Sequence, residues 1–117
     1  MADLRQTLGE FTQIDGVTAA LVVGRDGFVI EGVASDDIDL EALGAVTASS
    51  MGASEALSTD LNRGGLFGLM LEYENGPIVV SPVGREAMLV IVGNGAANLG
   101  RIRLEVKKRQ QAIADSL

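Results

Sequence analysis

The segments "AALVV" (19–23) and "MLVIV" (88–92) are apolar at every position, whereas a strand with one wet face alternates apolar and polar residues. Yet neighbouring apolar runs are joined at hairpin length. "VVGRDGFVI" (22–30) sets Gly-Arg-Asp-Gly between two such runs, and an Asp-Gly pair takes the positive φ angles of a tight turn. Glu74-Asn75-Gly76 separates "LFGLMLEY" from "PIVVSPV", and Gly84-Arg85-Glu86 separates that run from "AMLVIVG". Hairpins make a sheet antiparallel, and unbroken apolarity means that both of its faces are covered. The two demands together predict five strands between two helical layers.

The remaining segments supply those layers. Met1, Leu4, Leu8 and Phe11 fall on one stripe at helical spacing, with Asp3 and Gln6 resembling a capping box, so a short amphipathic helix opens the chain. Strands are expected over Thr18–Gly24 and Phe28–Val33. After the polar "ASDDID", Asp39 suits an N-cap and Glu41 the first turn of a helix over Leu40–Leu61, roughly 33 Å long, which Asn62-Arg63-Gly64-Gly65 stops. A last helix over Ala97–Leu117 carries the stripe Leu99, Ile102, Val106, Ile113 and Leu117. The order is α-β-β-α-β-β-β-α. At 117 residues a single domain over 1–117 buries enough surface to stand without a disulfide or metal staple.

Composition then removes most chemistry. Without Cys or His there is no thiolate nucleophile and no side chain that titrates near neutral pH without a large shift, so no catalytic, cofactor-binding or metal-binding residue is assigned. A formal charge of −7, with three Phe and one Tyr, disfavours nucleic acid. "MADLRQTLGEF" lacks the pattern of a signal peptide, and no apolar run approaches the roughly 18 residues of a membrane span, which implies a cytoplasmic protein.

Local motifs have structural explanations. "GNGAAN" (93–98) has the setting of a dinucleotide loop, but Asn98 replaces its third glycine and too little chain follows for a βαβ unit; Asn94 or Asn98 as a helix cap accounts for it. Asp36, Asp37, Asp39 and Glu41 fail the calcium-loop pattern, since Ala42 stands where its glycine should be. Asp15 and Asp26 each adjoin a turn glycine. Both lysines, Lys107 and Lys108, lie in the last helix, so no phosphate-binding P-loop exists. "RIRLEVKKRQ" is read as a solvated basic face, and the loop arginines Arg25, Arg63 and Arg85 as surface charges.

Two features ask for a partner. Leu66, Phe67, Gly68, Leu69, Met70 and Leu71 form an apolar run without the Lys or Pro that guards an exposed edge. It is either an edge strand completed by a second copy of the chain or an interior strand needing none. In the long helix, a spacing of about 100° per residue puts Leu43, Val46, Thr47, Ser50, Ser54, Leu57 and Leu61 toward the sheet. The opposite face holds Ala45, Ala48, Ser49, Gly52, Ala56 and Thr59, with Glu41, Glu55 and Asp60 at its margins. Such a smooth face admits another backbone closely; alanine chosen for helix propensity alone explains it equally.

The element order, the "VVGRDGFVI" hairpin, the small-residue central helix and "GREAMLVIVGNGAANLGRIRLEVKK" together resemble the Roadblock family of dynein light chains and bacterial GTPase regulators, over essentially the whole chain. The resemblance implies a profilin-like or longin-like α/β sandwich, strand order 2-1-5-4-3, with one long helix on one face and two on the other. It makes the Leu66–Tyr73 strand an edge that pairs with itself in a homodimer, beside paired central helices. It also implies a non-catalytic adaptor, no cofactor, and a small Ras-like GTPase as partner, bound and in some members activated through Ala45, Ala48, Ser49, Gly52, Glu55, Ala56 and Thr59. The other expectation from the same sandwich is a sensory or small-molecule-binding module.

Overall fold

The computed structural model describes residues 3–35 and 37–117. Met1 of the opening stripe and Asp36 of the acidic loop lie outside them. The elements are α1 (Leu4–Thr12), β1 (Val17–Gly24), β2 (Val29–Ala34), α2 (Leu40–Leu61), β3 (Leu69–Tyr73), β4 (Gly76–Val83), β5 (Ala87–Gly93) and α3 (Leu99–Asp115). They form a five-stranded antiparallel sheet of order β2-β1-β5-β4-β3, as the resemblance implies.

β1 and β5 pair at the centre, from Val17 opposite Gly93 to Gly24 opposite Ala87. β1 is buried along its whole length, which is why its sequence does not alternate. One face packs Ala20, Val22, Leu89 and Ile91 against Leu8 and Phe11 of α1 and Ile102, Val106 and Ile113 of α3. The other packs Leu21, Val23, Met88 and Val90 against Met51 of α2. Two helices therefore cover one face and the long helix the other.

Local chemistry fixes the element ends. In the first hairpin Gly27 has φ +90°, Asp26 Oδ1 accepts from the Phe28 N–H at 3.0 Å, and the Gly24 N–H donates to the Phe28 carbonyl at 2.8 Å. Asp39 caps α2 through the Ala42 N–H, and Asn62 ends it at φ +55°. Asn98 caps α3 through the Arg101 N–H at 3.0 Å, while Asn94 Oδ1 accepts from the Ala96 N–H at 2.9 Å. "GNGAAN" is thus a strand-to-helix turn.

Several element ends differ from expectation: β1 starts at Val17 rather than Thr18, β2 spans Val29–Ala34 rather than Phe28–Val33, and α3 starts at Leu99 rather than Ala97. β3 starts at Leu69, so Leu66–Gly68 approach the sheet without joining its ladder. α3 ends at Asp115, which leaves Leu117 beyond the helix and 52% exposed. The Asp3 cap on α1 bonds the Arg5 N–H rather than the Gln6 N–H that a capping box requires.

The larger correction concerns the rotation of α2. Gly44, Thr47 and Met51 are its buried residues, with Ala48 half-buried beside them, a stripe at i, i+3, i+4 and i+7. Val46, Leu57 and Leu61, expected on the sheet, are 65%, 62% and 61% exposed. The cause is a close approach: a Cβ on Gly44 would stand 2.9 Å from the Gly27 carbonyl oxygen. The helix settles its glycine onto the hairpin turn with Leu40, Leu43, Thr47 and Met51 toward the core, so Leu43 and Thr47 lie where the periodicity put them while Val46, Leu57 and Leu61 turn outward.

Candidate protein-interaction site

β3 is the outer strand of the sheet, next to β4 only. Its pairs alternate in facing. Leu69 opposite Val80 and Leu71 opposite Ile78 look toward the α2 side, while Met70 opposite Val79 looks toward the α3 side and is 46% exposed. Leu66 is half-buried against the α2-side core, and Gly68 is exposed. Phe67 stands 94% exposed just before the strand. Tyr73, absent from the sequence-based set, closes β3 at 59% exposure. A run of unpaired main-chain donors and acceptors flanked by apolar side chains is chemically a template for another strand.

α2 offers two further surfaces side by side. Of the predicted partner face, Ala45, Ser49, Gly52, Ala56 and Thr59 are exposed, with open space around the Gly52 Cα. Ala48 lies half-buried against the core, and Glu55 is engaged. Arg25 Nη1 donates to Glu55 Oε1 at 2.6 Å, the Arg25 N–H donates to the Glu86 carbonyl at 3.0 Å, and Arg25 Nε is buried without a hydrogen-bond partner. Arg25 is therefore a tie between the first hairpin and α2 rather than a free surface charge. The adjoining stripe of Val46, Leu57 and Leu61 is a surface that sequence reasoning missed; the signal was present, since these are large apolar residues, but apolar bulk implied core.

Between α3 and α1 one cluster of charged groups is structural. Arg109 donates to Glu105 and, at 3.1 Å, to Glu10, and its guanidinium lies 5.5 Å from the Phe11 ring centroid, which clamps α3 to α1. Burial works against the Arg109 charge, but the bonds to Glu105 and Glu10 outweigh it and raise its pKa. The hydrogen bond from Arg109 holds the Glu105 carboxyl below the usual carboxylate range, against the opposing effect of burial. Among the described residues, no group of three or more acidic side chains is placed to hold a metal, and no helix is long and apolar enough to cross a membrane. What the surface offers is an open strand edge and a helix with small and apolar faces.

Comparison with known proteins gives matches in sequence and in fold. A profile of the Roadblock/LC7 domain matches residues 4–93. The uncharacterized protein MJ0714 of Methanocaldococcus jannaschii is 34% identical over 108 residues, 92% of this chain and 91% of the relative. The gliding protein MglB of Thermus thermophilus superposes with a TM-score of 0.89 at 26% identity, covering 97% of this chain and 87% of its own. A second solved structure, described as MglB with tetrameric arrangement, gives 0.90 at 26% identity, covering 97% and 86%.

Proposed function

This chain belongs to the Roadblock/LC7 family, and from that premise we propose that it is a non-catalytic homodimeric adaptor of the cytoplasm whose partner is a small Ras-like GTPase. One observation carries the reading: α2 buries glycine, threonine and methionine while leaving Val46, Leu57 and Leu61 in solvent. Covering each of these side chains is worth roughly 1 to 2 kcal/mol, a gain that the chain alone forgoes. A second copy supplies the cover, α2 against α2, as Leu66–Leu71 and the β3 edge meet their counterparts across the same two-fold axis. The tetrameric arrangement described for one MglB supports self-association in this fold.

The small-residue face then remains for the GTPase. Ala45, Ser49, Gly52, Ala56 and Thr59 let another backbone approach, Ala48 supports them from beneath, and Glu55 is set at the margin by Arg25. The GTPase supplies the nucleotide and any phosphoryl chemistry. The test is binding, by calorimetry, of the GTPase encoded nearest this chain's gene, loaded with GDP or with a non-hydrolysable GTP analogue. The dimer is expected to bind one state in preference, and Gly52→Arg to abolish that binding without changing the dimer. Failure to bind in both states, or binding untouched by Gly52→Arg, contradicts the proposal.

A further inference from the structure

Charge is distributed unevenly along the chain. α3 holds five of the nine cations and two of the sixteen acids, a net of +3 in a chain of −7, so the rest of the molecule carries −10. Not all of these cations are spent on packing. Arg109 is taken by Glu105 and Glu10, and Lys108 reaches Glu105 at 3.7 Å. Arg103 and Lys107 are exposed and form no ion pair among the described residues.

Those two side chains stand over a groove. α3 packs on β4 and leaves the same face of β3 uncovered, so a trough of about 410 Å³ runs between helix and edge strand, within the size of sites that hold organic ligands. Val79, Val106 and Met70 line its floor, Phe67 stands at its mouth, and Arg103 and Lys107 form its wall. Its interior polar groups are already satisfied, because the Gln110 amide donates to Ser81 Oγ at 3.0 Å and to the Pro82 carbonyl at 2.8 Å. The groove thus presents an apolar floor under a cationic wall and asks for no neutral hydrogen-bonding ligand. The wall lies on α3, beyond the 4–93 segment that the family profile matches.

We propose that the β3–α3 groove is a docking site for an acidic, amphipathic peptide segment of a partner protein, which seats aliphatic or aromatic side chains on Met70, Val79 and Val106 and its carboxylates on Arg103 and Lys107. Charge complementarity selects this occupant. A short segment lies within a Debye length, about 8 Å, of the wall and feels the cations alone. An anionic membrane extends past them and meets the −10 of the remaining surface. The trough is also concave, which suits an inserted side chain better than a flat bilayer. Pairing of β3 edges uses main-chain groups in the plane of the sheet, whereas the groove lies above one face, opposite α2. Phe67 and Met70 border both surfaces, whereas Val79, Val106, Arg103 and Lys107 belong to the groove alone.

The experiment is fluorescence anisotropy with three labelled peptides of equal leucine and phenylalanine content, whose remaining positions are glutamate, glutamine or lysine. The acidic peptide is expected to bind, the neutral one about tenfold more weakly, and the basic one less still, with the preference fading at high salt. Arg103→Glu with Lys107→Glu should weaken the acidic peptide by about tenfold and improve the basic one, while Gly52→Arg changes neither. Should the double charge reversal compromise folding, Arg103→Gln with Lys107→Gln gives the same ranking with a smaller loss. Equal binding of the three peptides, indifference to either double variant, or binding of phosphatidylserine-rich vesicles with none of the peptides overturns the proposal.

Discussion

At the residue scale, groups acting on their neighbours in sequence were legible and groups acting across the fold were not. Asp26, Asp39 and Asn98 each satisfy a main-chain donor two or three positions ahead, so the sequence shows both partners. Arg25 and Glu55 are thirty positions apart, and nothing local marks Arg25 out from Arg63 or Arg85. Glycines divide the same way. Gly16 has φ +84° and a Cβ there would strike the Ala97 backbone, whereas Gly84 has φ +65° with nothing within 4 Å. Gly16→Ala should cost more than about 3 kcal/mol and Gly84→Ala about 1 kcal/mol, compared by urea unfolding. The Glu105–Arg109 clamp makes a prediction in pH. A carboxyl whose folded pKa lies below its unfolded 4.5 stabilises the fold above that value and stops doing so as pH falls through the folded one. Glu105→Gln should therefore destabilise at pH 7, and the gap from the parent should close on acidification; a gap unchanged in acid would remove the clamp from the account.

At the element scale, the number, type and order of helices and strands follow from apolar runs and turn residues, because period and punctuation are local properties. The rotation of α2 was not legible, and the reason is physical. Counting bulky residues finds the apolar face of a helix, but the face that packs is the one that fits, and the approach of Gly44 to Gly27 decides that fit. Val46, Leu57 and Leu61 stay exposed, and the proposed function assigns them to a second copy. Met51 and Leu57 separate the two faces experimentally: Met51→Ala should cost about 2–4 kcal/mol of unfolding free energy, and Leu57→Ala under about 0.5 kcal/mol in an isolated subunit, its effect appearing in association instead. A comparable loss at both positions, in unfolding measured below the concentration of association, would mean that α2 packs as the periodicity suggested. β3 shows the converse limit: its apolar character was plain, but edge and interior strands share that character, and only the order of the sheet distinguishes them.

At the scale of the whole molecule, hairpins fix the neighbours β1–β2, β3–β4 and β4–β5, and the pairing of β1 with β5 closes the sheet across most of the chain. That non-local pairing carries no turn signature; it was reached through family likeness, not through spacing. It also sends β3 to the rim with its main chain open and sets the exposed stripe of α2 on the face toward which Leu69 and Leu71 look, the two surfaces on which the proposed function rests. Segregated charge adds a second surface on the α3 side. The central claim is that a second copy covers Val46, Leu57 and Leu61 and completes the β3 edge. Light scattering on the chain at micromolar concentration tests it most directly. A mass twice the 12.1 kDa of one chain, falling to 12.1 kDa in Val46→Asp with Leu57→Asp while the fold is retained by circular dichroism, is the predicted result. A single-chain mass for the parent, or a dimer indifferent to both aspartates, would contradict it.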